Sequence, residues 1–348
     1  MENRKKGMDW LGPGAGQAVT LGIMLALLIL ALPVFLLSGP PLEGGAAEKP
    51  EGVSPTAQSE PIQQTAATKD RGRAVRLLTE DGVKELTMED YLWGVVAAEM
   101  PASFEGEALK AQACAARTYT VIQQNAAARH EGADICADST CCQAWVEREA
   151  AQARWGLNAG EYTEKISRAV AETDALGILY GGNPIQALFF SSAAGKTVDA
   201  AQVWGNAVDY LVSVDSPEGE EVPNYHSRVE LTAGEVRKAV LAAYPGADLT
   251  GAESGWFRDI FRSEGGSVRS LVLGGVTLSG SQVRSLFGLR SAAFEVEWDG
   301  EKFVFSVTGY GHGVGMSQYG ANAMAKAGSS FRDILTWYYT GTEVEQLW

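Results

Sequence analysis

No run of basic residues follows Arg4-Lys5-Lys6, and acids outnumber bases by 43 to 28, a formal net charge of −15 over 348 residues. A surface this acidic repels phosphates, which argues against nucleic acid and anionic lipid headgroups as partners. Histidine is scarce, with only His130, His226 and His312, and cysteine stops at Cys114, Cys136, Cys141 and Cys142. Imidazole or thiol chemistry therefore has few possible seats. The glycine-rich run from Gly309 is not a dinucleotide fingerprint, because Val314 or Met316 stands where the third glycine is needed. Gly195-Lys196-Thr197 is not a phosphate loop either, since Phe190 occupies the place of its first glycine. There is no internal repeat. What the chain does have is 46% hydrophobic residues, enough for one large core or two small ones.

Residues 18–37 run for twenty positions without a charge, long enough as a helix to cross the ~30 Å hydrocarbon core of a bilayer. Arg4, Lys5 and Lys6 precede this stretch and the next cation is Lys49. That asymmetry predicts a cytoplasmic segment 1–17, a transmembrane anchor 18–37 and export of the remainder. A cleaved signal peptide is the rival reading, but its apolar region is usually only about 7–15 residues. Residues 38–72 are rich in Pro, Ala, Glu, Gln, Ser and Thr, so they are expected to be a flexible linker. Residues 73–348 are expected to form a single exported mixed helix/sheet domain of the α+β class, because strand-like and helix-like runs cluster rather than alternate. A hairpin is predicted around Asp81-Gly82, a helix from Thr87 to about Ala98 that stops before Pro101, and a second helix from about Glu105 to Asn125. Strand-like runs follow at 177–180, 185–191 and 210–214. Beyond them come a helix after Thr232, a β-rich stretch 256–276, a hairpin about Asp299-Gly300 and helices near 316–327 and 330–338.

Three places could carry chemistry. Glu99, at the end of an apolar helix beside Met100 and Pro101, is placed to lose hydration, which raises a carboxyl pKa and suits a general acid. Simple ion pairing with Arg117 or Lys110 on the next helix is the alternative. The alternating glycines around His312 either let a backbone approach a ligand or merely form a tight turn. His130, Cys136, Cys141 and Cys142 lie within thirteen residues and suggest either zinc or a disulfide from Cys136 to one of the adjacent pair. Cys114, amid alanines, reads as a small buried hydrophobe.

The run Tyr91-Leu92-Trp93-Gly94-Val95-Val96-Ala97-Ala98-Glu99-Met100-Pro101, followed by Glu107 to Tyr119, resembles the stage II sporulation protein D family. So do Phe190-Ser191-Ser192-Ala193-Ala194-Gly195-Lys196-Thr197 and Gly311-His312-Gly313-Val314-Gly315-Met316-Ser317-Gln318-Tyr319-Gly320-Ala321. Ala194 departs from the glycine pair commoner in that family. The resemblance implies a membrane-anchored lytic transglycosylase that cleaves peptide-stripped peptidoglycan during engulfment, with Glu99 as catalytic acid/base. It places Lys110, Arg117, Ser191, Ser192, Lys196, His312, Ser317, Gln318 and Tyr319 as candidates for the glycan groove. Lys196 or Arg117 would offset the repulsion between an acidic protein and the muramyl carboxylate. It further implies a structural zinc held by His130, Cys136 and Cys142, the fourth ligand being water, Cys141 or an acidic side chain. A partner amidase that strips stem peptides, other engulfment membrane proteins, and a site in the mother-cell membrane facing the forespore septum complete that expectation. Three rivals stand beside it: a non-catalytic module that activates a partner amidase, a muramidase with a second carboxylate at Asp199, Asp209 or Asp215, and a purely structural envelope protein, which leaves the His312 loop without a reason.

Overall fold

The computed structural model describes residues 68–126 and 129–348. The expected cytoplasmic segment 1–17, the anchor 18–37 and the linker up to residue 67 lie outside the described residues. Among the described residues no helix is long and apolar enough to cross a membrane. The end of the expected linker departs from expectation: Lys69–Gly72 is a turn of 3-10 helix with Asp70 buried. Its composition gave no reason to fold, but Asp70 meets a charged partner far along the chain.

Strands β1 (Ala74–Thr79) and β2 (Gly82–Thr87) form the expected hairpin, with Thr79 opposite Gly82 and the turn at residues 80–81. The Thr87 hydroxyl caps helix α1 (Met88–Glu99), accepting the Asp90 amide at 3.1 Å. Pro101 holds Met100 extended at φ −118° and ψ 144°, so the helix ends on Glu99. Helix α2 (Gly106–Asn125) is buried without interruption from Ala111 to Val121. Its alanines keep it slender, and neighbours close on every side, as in a helix at the middle of a core.

After α2, strand β3 (Ile135–Cys136) joins β1 in parallel. Helices α3 (Arg148–Trp155) and α4 (Ala159–Glu172) then pack against the α1–α2 pair. Strands β4 (Leu176–Tyr180) and β5 (Asn183–Pro184) follow, then β6 (Phe189–Phe190) and the short helix α5 (Ala200–Trp204). The run expected as a strand over 185–191 pairs only at β6, and the run over 210–214 forms no strand.

A second core gathers around β7 (His226–Thr232), helix α6 (Ala233–Ala243), β8 (Phe257–Arg262), β9 (Val268–Leu273), β10 (Val276–Leu278) and helix α7 (Gly280–Phe287), with the hairpin β11 (Phe294–Trp298) and β12 (Lys302–Thr308). Two three-stranded sheets, β11-β12-β7 and β10-β9-β8, enclose it. Phe294, Phe303, Phe305 and Trp256 fill the space between.

The chain then returns to the first core. Strand β13 (Met316–Ser317) pairs in parallel with β6, Met316 beside Phe189 and Ser317 beside Phe190. Helices α8 (Gln318–Lys326) and α9 (Phe331–Tyr338) and strand β14 (Glu343–Gln346), which pairs with β4, close the fold. The class is α+β, as expected.

Candidate active site

Glu99 sits where α1 stops, and the segment after Cys142 crosses the helix there. Gln143 is buried; its Nε2 donates to the Tyr91 hydroxyl at 3.0 Å and to the Thr120 hydroxyl at 3.1 Å. Anchored so, the segment aims the Ala144 N–H at Glu99 Oε1, 2.6 Å away. The next residue lays its indole over Gly94: a β-carbon there would come within 2.1 Å of Trp145 Nε1. Glycine at this position is the condition for the crossing. The Gln318 amide is the other polar neighbour of the Glu99 carboxyl, and its Nε2 donates to Gln112 Oε1 at 3.3 Å.

Among the described residues no cation offsets the burial of Glu99. Lys110 is held by Glu107 at 2.7 Å and Glu172 at 2.5 Å. Arg117 forms a fully buried fork with Asp70, Nη2 to Oδ2 at 2.6 Å, and also donates to the Leu176 carbonyl. Neither pairs with Glu99, and Arg117 lies away from any surface a sugar could reach. Desolvation therefore dominates and raises the Glu99 pKa, against the lowering effect of the Ala144 and Gln318 hydrogen bonds.

The middle and C-terminal motifs meet along the β6–β13 seam. Ser192 and Tyr310 exchange backbone hydrogen bonds of 3.0 and 2.8 Å, and the Tyr319 N–H donates to the Ser191 carbonyl at 3.0 Å. Ser192 and Ser317, expected to face the glycan, are buried instead. Ser317 donates to the buried carboxylate of Glu218, which also accepts the Ala193 N–H at 2.6 Å and the Ser216 hydroxyl at 2.5 Å. These groups lock the two motif loops together. Glu218 was not foreseen, because nothing near it in sequence marks it.

Ser191, Gln318 and Tyr319 share this seam with His312, and the Tyr319 ring meets Phe104 edge-on at 4.9 Å. Lys196 stands apart from Glu99's partners, paired with Asp215 at 3.1 Å and Glu264 at 3.4 Å. Of the other carboxylates considered, Asp199 accepts the Ser213 N–H at 2.8 Å and Asp209 the Tyr180 hydroxyl at 3.4 Å.

Both ring nitrogens of His312 are engaged. Nε2 donates to the Phe189 carbonyl at 3.1 Å, and Nδ1 accepts the Val314 N–H at 3.1 Å. Burial and, to a lesser degree, the nearby positive charge of Arg284 push its pKa down to about 4. His312 is thus a neutral strut of the loop rather than a proton carrier. Its ring lies between Phe190, at 5.5 Å, and Trp204, at 6.0 Å. It lines a cleft of about 870 Å³ with Gln202, Trp204, Tyr244, Gln282 and Arg284.

The cysteines converge separately. Ligand atoms of His130, Cys136, Cys141 and Cys142 all lie within 4.8 Å of one another. His130 Nε2 is 3.3 Å from Cys142 Sγ and 3.8 Å from Cys141 Sγ, and the two sulfurs are 3.9 Å apart. All four cysteines are free thiols, Cys114 buried in α2. Sulfurs at the corners of a tetrahedron with ~2.3 Å metal bonds stand about 3.8 Å apart, so the donor set fits a zinc-sized ion.

Comparison with known proteins identifies the family of the chain. The family model described as SpoIID, stage II sporulation protein, matches residues 79–180. Stage II sporulation protein D of Bacillus subtilis (strain 168) is 34% identical over 334 residues, covering 94% of this chain and 95% of its own length. The protein of the same name from Bacillus amyloliquefaciens is also 34% identical, over 92% of this chain and 94% of its own. A Bacillus subtilis protein named amidase enhancer is 28% identical over 72% of this chain but only 40% of its own length. The chain belongs to the stage II sporulation protein D family.

Proposed function

We propose that the protein is a membrane-anchored lytic transglycosylase acting on peptide-stripped peptidoglycan during engulfment. The observation that carries this reading is Glu99 itself: a largely desolvated carboxyl, without a cation, held in place by the Ala144 N–H beside the Gln318 amide. A hydrolase normally needs two carboxyl groups flanking the bond. An intramolecular transfer needs one. Glu99 protonates the glycosidic oxygen between N-acetylmuramic acid and N-acetylglucosamine. The resulting carboxylate takes the proton of the muramyl C6 hydroxyl, whose oxygen attacks C1 and closes a 1,6-anhydro ring; no water is consumed. Acid–base assistance of this kind contributes roughly 10²–10⁴-fold.

We assign a structural zinc to the His130, Cys136 and Cys142 donors, with Cys141 as fourth ligand because its sulfur stands in the same cluster. When bound, it supplies rigidity to the loop that leads through Gln143 to Ala144, and no step of the sugar chemistry passes through it. An exported domain on a single-pass anchor, working with an amidase that first removes stem peptides, fits this activity. The relative named amidase enhancer favours a second reading, in which the chain binds glycan and activates such an amidase without cleaving anything itself.

Mass spectrometry of peptide-free glycan strands incubated with the protein separates the two. Muramyl ends lighter by one water than reducing ends, absent with Glu99→Gln, are the expected product. Reducing ends would mean a hydrolase, and bound but uncut strands would leave the amidase-activating reading.

A further inference from the structure

The substrate proposed above carries a carboxylate on every muramyl residue once its peptide is gone, and the protein that must hold it is strongly acidic. The two cations expected to meet that carboxylate are already committed, Arg117 to Asp70 and Lys196 to Asp215 and Glu264, and Lys110 of the expected groove is held by Glu107 and Glu172. Arg284 is not. It lines the cleft beside His312 and Trp204, and among the described residues no carboxylate lies within ion-pair distance of it. Its Nε donates to the Arg290 carbonyl at 3.2 Å, which fixes the plane of the guanidinium and leaves the Nη1–Nη2 edge without a protein partner. Burial works against its charge, and the Tyr310 phenol partly offsets that. A second guanidinium, that of Arg290 just after helix α7, lies over the Tyr310 ring at 4.2 Å. A half-buried arginine without a counter-charge, in an open cleft, is the arrangement that receives an anion from outside.

We propose that Arg284 is the specificity-determining residue of this cleft, binding the free lactyl carboxylate of a muramyl residue end-on while a sugar face rests on Trp204. The Trp204 indole is 50% exposed and flanks His312, so it offers an apolar platform beside the cation. Gln202 and Gln282 line the same cleft and supply amides for hydroxyl and acetamido groups. Gln318, a polar neighbour of the Glu99 carboxyl, lies six residues after His312 in the chain. A stem peptide converts the lactyl carboxylate into a neutral amide, so the same arginine rejects strands that an amidase has not yet processed. The selectivity for stripped strands would thereby reside in one ion pair rather than in steric exclusion.

This inference rests on the glycan reading, and its test separates the two. The full chain carrying Glu99→Gln is titrated calorimetrically with three saccharides of equal length. One is alternating N-acetylglucosamine and N-acetylmuramic acid with free lactyl groups, one is the same chain with lactyl N-methylamides, and one is N-acetylglucosamine only. The free acid is expected to bind about tenfold tighter than the amide, as one charge-assisted fork implies. Adding Arg284→Gln should bring acid and amide to within about twofold, and Arg284→Lys, which keeps the charge but not the fork, should retain part of the preference. An unchanged acid-to-amide ratio in Arg284→Gln, or equal affinities before it is introduced, overturns the inference while glycan binding stands. Failure of all three saccharides to bind overturns the glycan reading and this inference with it. Were Arg284→Gln to unfold, the Lys variant decides alone: a full preference retained by it argues against the fork.

Discussion

The Ala144 N–H reaches Glu99 Oε1 at 2.6 Å, and Ala144 stands two residues from Cys142 in the thiol–imidazole cluster. Whatever fixes that cluster therefore also fixes the Glu99 carboxyl, through the buried amide of Gln143 between them. Chelation of the proposed zinc is expected to lower glycan cleavage and to change Trp145 fluorescence on one time course, with far-UV dichroism preserved. Metal analysis should give one zinc per chain beforehand. Full activity in the metal-free protein, with the fluorescence already changed, would break the link between loop and carboxyl.

Glu99 costs the fold something at neutral pH. Its folded-state pKa is raised above that of an ordinary glutamate by burial, so the native state holds the proton more tightly than the unfolded chain. Stability contributed by that proton is complete below the unfolded value and is lost as pH rises through the folded one. Glu99→Gln is always neutral and still offers a carbonyl to the Ala144 N–H. The variant is expected to match wild type near pH 4 and to be the more stable of the two at pH 8. Urea unfolding at the two pH values checks this, and a variant that is less stable at pH 8 would contradict it.

At Gly94 the space is already taken. A methyl group there would come within 2.1 Å of Trp145 Nε1 and 2.6 Å of its Cδ1. Gly94→Ala must push the indole away, and with it the neighbouring Ala144 N–H. We expect a loss of about 1–3 kcal/mol of stability, typical of overpacking, and a fall in kcat larger than the change in KM. An equal loss in a Gly72→Ala control, where nothing lies within 4 Å, would show that the effect is not steric.

What could be read from the chain and what could not follows from how local each signal is. Thr87 and Pro101 bracket α1 in sequence, so Glu99 at its end was visible beforehand. Helix α3 was not, because Ala151 is its only buried residue. Helix α4 was legible but not named: Tyr162, Ile166, Ala169 and Val170 stand at helical spacing on the one face it packs against the core. Lys69–Gly72 looked like linker because its reason to fold, Arg117, lies far along the chain. The main hydrogen-bond donor to Glu99 is a backbone N–H, and a backbone group carries no side-chain signature. The two-residue seam between β6 and β13 is too short to announce itself, yet it brings the His312 loop to the Ser191 loop. Gln112 and Gln143 did leave a trace, as amides among alanines or beside a cysteine, but only their contacts give that trace a meaning.

His312 makes a prediction of the opposite sign to that of Glu99. Its pKa falls from 6.5 to about 4, so the unfolded chain binds a proton that the native one refuses. Stability from this residue is present above the unfolded value and fades as pH drops toward the folded one. Between pH 7 and pH 4.5 wild type should lose on the order of 2 kcal/mol more than His312→Gln, a discounted figure because the ring edge meets the cleft. Parallel pH profiles for the two proteins would show that the imidazole does not resist protonation.

The buried fork of Arg117 and Asp70 ties the turn Lys69–Gly72 to helix α2. Nε reaches Oδ1 at 3.2 Å and Oδ2 at 3.1 Å, Nη2 reaches Oδ2 at 2.6 Å, and Nη1 satisfies the Leu176 carbonyl at 2.9 Å. Removing one partner strands the other charge out of water, which costs about 3–5 kcal/mol. Asp70→Ala is therefore expected to destabilise by that amount, whereas Asp70→Ala with Arg117→Leu together should recover much of the loss, since the pair itself was costly to desolvate. Glycan cleavage by the folded double variant should stay within a few-fold of wild type, because neither residue approaches Glu99. A double variant that folds well but binds glycan poorly would return Arg117 to the groove. One that is as unstable as Asp70→Ala alone would mean that the fork stabilises by its own attraction rather than by avoiding an orphaned charge.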